Sequence, residues 1–111
     1  CPKCKDSYKP GEALCARLGI DIKKAKDVLF YKAKGCAACL NTGYSGRLGI
    51  CEVLAITPAI RGLVLKRARE NEVKQIARNE GMRTLREDGI TKVLAGLTSL
   101  EEVLRVTVQD E

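Results

Sequence analysis

Apolar side chains recur every three or four positions after residue 57, which predicts four short helices in the second half of the chain. Thr57 is a typical N-cap and Pro58 a typical first helical residue, so the first of these helices is expected to begin there. Thr98 and Glu101 have the spacing of a capping box at the start of the fourth helix. The positions predicted to face a core are Ile60, Leu63, Val64 and Leu65; Val73, Ile76 and Ala77; Leu85, Ile90, Val93 and Leu94; and Leu100, Val103 and Leu104.

The first half of the chain has a different pattern. Pro10 is predicted to start a short helix that runs to about Leu18, because proline suits a first turn and Gly19 suits an end. Two segments rich in β-formers follow, residues 27–33 ("DVLFYKA") and 47–56 ("RLGICEVLAI"). Segments of this kind, bounded by turn residues, predict two strands that pair as a β-hairpin.

Four of the six cysteines form two Cys-x-x-Cys pairs, Cys1 with Cys4 and Cys36 with Cys39. Two such pairs present four thiolates, which a tetrahedral zinc ion accepts. Between the pairs lie 31 residues. The longer loop costs only roughly 0.5 kcal/mol more than a typical one, whereas structural zinc contributes about 10 kcal/mol or more. A disulfide framework suits secreted proteins, and a thioredoxin-type redox pair leaves one of the two pairs unexplained.

The remaining two cysteines are expected to pack rather than to bind metal. Cys15 lies in an apolar helical stretch beside Leu14, and Cys51 lies in a strand-like stretch beside Ile50. A free cysteine in such surroundings usually behaves as a small hydrophobic residue.

Together these patterns predict an α+β fold, mainly α, in two parts. Residues 1–56 are expected to form a tetracysteine zinc-binding module with a β-hairpin, and residues 57–111 a helical C-terminal subdomain of four helices. Helices of this length are marginal alone and need a shared core. With 45% apolar but only 4% aromatic residues, that core is predicted to be aliphatic.

The charge of the chain restricts its partners only loosely. Twenty Lys and Arg against fourteen Asp and Glu give a formal net charge of +6, which suits an acidic partner such as nucleic acid, nucleotide phosphates or a membrane surface. The basic residues are spread along the whole chain, so a solvated basic face is the better interpretation. Zinc on four thiolates would lower the net charge to about +4.

Several chemistries are excluded by what the sequence lacks. There is no histidine, which excludes His-based triads, His general bases and His metal ligands. There is no Gly-x-x-x-x-Gly-Lys-Ser/Thr phosphate loop and no apolar segment long enough to span a membrane. No complete active site is therefore expected. The chain begins with Cys rather than Met, which indicates a piece of a longer protein.

Two further stretches are candidate sites. The glycines of "GYSGRLG", residues 43–49, do not have the Gly-x-Gly-x-x-Gly spacing, and the stretch is interpreted as a turn with positive φ angles. Arg47 on this turn is a candidate phosphate or interface contact, or else a surface arginine. Glu87 and Asp88 are adjacent and would diverge by about 100° on a helix, so they are not expected to act as an acid/base pair.

The chain carries three distinctive segments in order, "CPKC" (1–4), "YKAKGCAACLNTGYSGRLGICEVL" (31–54) and "GMRTLREDGITKVLAGLTSLEEVLRVT" (81–107). They resemble the C-terminal end of the type II secretion and type IV pilus assembly ATPases. The resemblance covers essentially the whole chain. It departs from the family pattern at Cys51, where the family more often carries an aromatic or other large residue.

The resemblance implies a small zinc module placed after a RecA-like ATPase core, with Cys1, Cys4, Cys36 and Cys39 as zinc ligands, and a helical subdomain after it. The parent protein would be a cytoplasmic homohexamer at the inner-membrane face of a bacterium. It would use ATP and magnesium to drive polymerisation of pilins or pseudopilins, and would work with inner-membrane platform or cytoplasmic-domain proteins. Its Walker motifs would lie upstream, so this chain alone is expected to be non-catalytic.

A stand-alone zinc-ribbon module that binds nucleic acid is the alternative function. The positive charge permits it, but no aromatic stacking platform or basic stripe supports it. The Cys-x-x-Cys repeats of J-domain co-chaperones are a weaker similarity, because the first pair here continues as "KDSYKPGE".

Overall fold

The computed structural model describes residues 1–20 and 28–108. Within these ranges the secondary structure consists of two short strands, five α-helices and one 3₁₀ turn. In chain order they are β1 (Asp6–Tyr8), α1 (Glu12–Arg17), β2 (Phe30–Lys32), the 3₁₀ turn (Ala37–Cys39), α2 (Pro58–Leu65), α3 (Glu70–Asn79), α4 (Leu85–Leu94) and α5 (Leu100–Val106). The predicted fold class, α+β and mainly α, is confirmed.

The two strands form an antiparallel ribbon in which Ser7 lies opposite Tyr31. Strand β1 comes just after the first cysteine pair and β2 just before the second, so bringing the pairs together also brings the strands side by side. The predicted pairing of residues 27–33 with residues 47–56 is wrong, because no residue of 47–56 is in a strand and β1 occupies the place beside β2. Position 27 of the predicted first strand lies outside the described residues.

The helix ends follow local capping chemistry. The Thr57 hydroxyl accepts a hydrogen bond from the Ile60 N–H, as the Thr-Pro pattern predicts. Helix α4 begins with a capping box in which Thr84 and Glu87 cap each other's backbone N–H groups. Helix α5 begins one position later than predicted, because Ser99 rather than the preceding threonine is its N-cap.

Predicted helix α1 is shorter than its pattern suggested. It spans Glu12–Arg17 rather than the whole stretch from Pro10 to Leu18, and Leu18 is its C-cap. Gly19 then takes a φ of +71°, the left-handed conformation expected of a glycine that ends a helix. The prediction of a helix stopped by this glycine is confirmed.

The hydrophobic core joins the two halves of the sequence. Its buried members are Cys15, Ile20, Phe30, Ile90, Val93, Leu100 and Val103. Strand β2 packs directly against α4 and α5, which places the ribbon on the helices. The prediction of a purely aliphatic core is wrong, because Phe30 is 1% exposed at its centre and packs edge-on against Tyr8.

Helices α2 and α3 bury a smaller contact of their own. Ile60 of α2 is fully buried and Ala77 of α3 is 2% exposed. The predicted inward face of α2 is only partly right, because Val64 and Leu65 are exposed. Helix α2 therefore buries a narrower stripe than its composition indicates. Over the described ranges, every helix is too short or too polar to cross a bilayer.

Candidate metal centre

The structure brings the sulfur atoms of Cys1, Cys4, Cys36 and Cys39 within 4.8 Å of one another. The Sγ–Sγ distances are 3.9 Å between Cys1 and Cys36, 3.7 Å between Cys4 and Cys39, and 3.7 Å between Cys36 and Cys39. A disulfide needs about 2.05 Å, and these cysteines are free thiols. The sequence-predicted ligands thus form one cluster, although they come from two places 31 residues apart.

Each cysteine pair closes through its own tight turn. In the first pair the Lys5 N–H donates to the Cys1 carbonyl over 3.0 Å. In the second pair the Cys39 sulfur accepts the N–H groups of Cys36, at 3.3 Å, and of Gly43, at 3.2 Å. Backbone N–H groups directed at a sulfur favour its thiolate form. The second turn therefore stabilises Cys39 as a thiolate, which is the form that binds a metal ion.

Ionisation within the cluster is uneven. Burial raises the pKa of the Cys39 thiol, but the N–H donors of Cys36 and Gly43 and the neighbouring thiols outweigh it and lower the pKa to about 6. Burial raises the pKa of the Cys4 thiol, and its neighbours Cys36 and Cys39 raise it further. A thiol that is ionised near neutral pH is a ready first ligand for a cation.

The geometry of the cluster fits zinc. A tetrahedral ion with Zn–S bonds of about 2.3 Å separates its sulfurs by about 3.8 Å. The distances of 3.7–3.9 Å within the cluster agree with that spacing. Four thiolates fill all four positions and leave none for water or substrate, which is the arrangement of structural rather than catalytic zinc. Bound there, zinc would crosslink the two turns.

Comparison with known proteins gives the family of the chain. Residues 1–105 match the model of the family described as "Type II/IV secretion system protein". The type IV pilus assembly ATPase PilB of Thermus thermophilus is 42% identical over 109 residues, which is 98% of this chain. The type II secretion system protein E of Pseudomonas aeruginosa is 42% identical over 110 residues, and the type II secretion system ATPase E of Vibrio cholerae is 39% identical over 107. The chain belongs to the type II/IV secretion system protein family.

The chain corresponds to a small part of these relatives. It spans 12% of the Thermus protein and 21% of each of the Pseudomonas and Vibrio proteins. The Thermus and Vibrio relatives are ATPases of type IV pilus assembly and of type II secretion, respectively.

The two other cysteines lie outside the cluster. Cys15 is 4% exposed in the hydrophobic core, which confirms the predicted packing role. Cys51 is exposed, so its predicted packing is wrong. Its segment runs along the surface, and the Cys51 N–H donates to Asp88 instead of to a strand partner.

The other candidate residues occupy separate places. Arg47 is exposed, and among the described residues the structure gives it no hydrogen bond or ion pair, so its role as a phosphate or interface contact stays a prediction. Glu87 pairs with Arg78 over 3.1 Å, while Asp88 pairs with Lys92 over 3.1 Å. The two carboxylates therefore make different contacts and do not form an acid/base pair.

Sequence reasoning missed one polar contact beside the cluster. The Tyr44 hydroxyl lies 2.6 Å from the Ser99 hydroxyl and joins the second cysteine turn to the start of α5. The tyrosine in this glycine-rich turn was only a weak sequence signal for such a contact. A tyrosine hydroxyl needs a hydrogen-bond partner only when it is buried, and burial is seen in the structure. Its partner stands 55 positions along the chain and had no signal of its own.

Proposed function

We propose that the chain is the non-catalytic C-terminal part of a hexameric cytoplasmic ATPase that powers type II secretion or type IV pilus assembly. Membership of the family and the small share of the relatives' length support this. In this proposal ATP and magnesium belong to the parent protein's ATPase core, which is also the first partner of the chain. Residues 1–56 act as the zinc module and residues 57–111 as the helical subdomain.

The single observation that carries the proposal is the four-sulfur cluster, to which we assign zinc as the structural metal. Lewis-acid chemistry at such a site would be blocked by its four thiolate ligands. Cys1, Cys4, Cys36 and Cys39 would instead hold the two turns and the attached ribbon in place. The zinc would contribute folding free energy, as structural zinc does in other small modules.

The packing of the ribbon supports a coupling role. Strand β2 contacts α4 and α5 and shares their core. In this proposal the zinc module and these helices therefore act as one body. We assign this body the task of transmitting nucleotide-driven motion to inner-membrane platform or cytoplasmic-domain proteins at the inner-membrane face. Arg47, exposed on the turn after the second cysteine pair, is available for such an interface.

Metal analysis of matched variants tests the proposal. Zinc per chain is measured by mass spectrometry for the natural chain, for Cys36→Ser and for Cys51→Ser, which removes an exposed thiol outside the cluster. One zinc is expected in the natural chain and in Cys51→Ser, and little in Cys36→Ser. The same two substitutions in the full-length parent should abolish and preserve secretion or piliation, respectively. Unchanged zinc content and function in Cys36→Ser would contradict the proposal.

A further inference from the structure

Both cysteine pairs are connected to the turn that joins α4 to α5, residues 95–99. Lys5, which follows the first pair, donates from Nζ to the Gly96 carbonyl over 3.0 Å. Tyr44, which follows the second pair, places its hydroxyl 2.6 Å from Ser99 Oγ. The turn is therefore held from both sides of the candidate metal centre.

The Tyr44 contact falls on the residue that begins α5. Ser99 is 5% exposed, and its Oγ accepts the Glu102 N–H at 3.2 Å, which makes it the N-cap of the helix. Leu100 and Val103 of α5 are each 2% exposed in the core. A shift of Ser99 would therefore loosen the cap and disturb the buried face of α5.

The position of Tyr44 depends in turn on Cys39. The Gly43 N–H donates to Cys39 Sγ, and the Thr42 hydroxyl donates to the Cys39 carbonyl over 2.7 Å and accepts the Tyr44 N–H at 3.2 Å. Gly43 has a φ of +83°, so the turn has a shape that few other residues would allow. The Cys4 and Cys39 sulfurs lie 3.7 Å apart, and the Cys1 amino group donates to the Gly43 carbonyl over 2.7 Å, so the first cysteine pair also contacts this turn. A metal ion would add bonds that tie Cys39 to three more sulfurs.

We propose that metal occupancy of the cysteine cluster controls the stability of α5 through a path that runs from Cys39 through Gly43 and Tyr44 to Ser99. The inference rests on the zinc site of the proposed function and adds the route by which that site acts on the helices. Coupling between two sites is reciprocal. If bound metal strengthens the Tyr44–Ser99 contact, removing the contact weakens metal binding by the same factor.

The test measures the affinity of the full chain for Zn²⁺ by competition with a chromophoric chelator under reducing conditions. The natural chain is compared with Tyr44→Phe and with Tyr8→Phe, a matched control that removes a hydroxyl from another partly buried tyrosine beside the same core. The coupling cannot exceed the free energy of one hydrogen bond, so zinc affinity is expected to be weaker in Tyr44→Phe by more than twofold and up to about fivefold. In Tyr8→Phe the affinity is expected to stay within about twofold of the natural chain.

Amide hydrogen exchange locates the effect on the zinc-loaded chain. In Tyr44→Phe the Glu102 and Val103 amides are expected to exchange about fivefold faster, because the cap that protects them has lost its support. In Tyr8→Phe the exchange rates of both amides are expected to equal those of the natural chain. Loss of amide protection that is confined to the start of α5 supports the path, because a general loss of stability would speed exchange throughout the core.

Three results would contradict the proposed coupling between metal binding and α5. These are equal zinc affinities for the natural chain and Tyr44→Phe, an equal loss in Tyr44→Phe and Tyr8→Phe, or unchanged exchange at the start of α5. Normal zinc binding in any of these cases leaves the proposed metal site intact. Failure of all three proteins to bind zinc refutes the metal site itself and the path with it.

Discussion

The backbone N–H of Cys51 donates a hydrogen bond to the carboxylate of Asp88, with 3.0 Å between the nitrogen and Oδ2. This contact fastens the exposed segment 47–56 to helix α4. Asp88 also pairs with Lys92 one turn further along the helix. This carboxylate therefore connects helix α4 to the surface segment that precedes the helices.

This contact predicts a pH-dependent cost for Asp88→Asn. The Cys51 N–H, with Lys92 beside it, holds the pKa of Asp88 below its ordinary value of 3.8. A carboxyl whose folded pKa is depressed contributes stability above its unfolded pKa and loses it as the pH falls through the folded pKa. At pH 7 the variant should lower the free energy of unfolding by about 1 kcal/mol, and by much less once the pH falls below the depressed pKa of Asp88.

Denaturant titrations at neutral and acidic pH measure this difference. Glu52→Gln is the control, because it neutralises an exposed carboxylate on the same surface segment. It is expected to change the free energy of unfolding by less than about 0.5 kcal/mol at either pH. A cost of Asp88→Asn that does not depend on pH would show that its charge is not what fastens the segment.

Gly43→Ala is expected to be one of the most damaging small substitutions in the chain. Gly43 has a φ of +83°, and an added Cβ would lie 2.4 Å from the Ala33 Cβ. Gly46 also has a positive φ, +68°, but has open space around it. Gly46→Ala should cost about 1 kcal/mol for the backbone alone, and Gly43→Ala roughly 1–3 kcal/mol more for the clash. Thermal unfolding of the two variants measures the difference, and equal costs would remove the role of the clash.

Substitution by alanine is expected to raise the free energy of unfolding at one helical glycine and to lower it at another. Gly62 lies inside α2 with nothing near its missing Cβ, so Gly62→Ala should stabilise the chain by about 0.5–1 kcal/mol. Gly89 lies inside α4, where a Cβ would be 2.7 Å from the Val103 Cγ1 in the buried contact with α5. Gly89→Ala should destabilise by about 1–3 kcal/mol. Chemical denaturation of both variants checks the signs, and stabilisation by Gly89→Ala would mean that α5 shifts freely.

Thiol alkylation should separate the three kinds of cysteine. Cys51 is exposed and is expected to react in the native zinc-loaded chain. The four clustered thiols should resist alkylation there if they bind the metal as proposed. Adding a chelator should expose the cluster, and Cys15, which is 4% exposed in the core, should react only after unfolding. Mass spectrometry of the alkylated chain measures each stage. Rapid alkylation of the cluster in the presence of zinc would argue against metal ligation.

Much of the second half of the fold could be predicted from local sequence. Thr57 with Pro58 marks a helix start by chemistry that acts within one turn, and the apolar spacing after residue 57 marks the helices themselves. The cysteine cluster was predictable for a similar reason, because two-residue spacing inside each pair suits a metal-binding turn. The one-residue error at Ser99 arose because Thr98 and Ser99 have equally suitable side chains for a cap, so the local pattern did not decide between them.

The sequence by itself determined the helices, the two cysteine turns and the chemistry of the ligands, since each depends on neighbours a few positions apart. Only the tertiary structure decided which strand lies beside β2, how exposed Cys51 is, and that Tyr44 meets Ser99. A strand pattern indicates that a segment suits a sheet but does not indicate its partner strand. Pairing depends on which other segment the tertiary structure places next to it. Here β1 lies beside β2, next to the two cysteine pairs, and residues 47–56 lie on the surface.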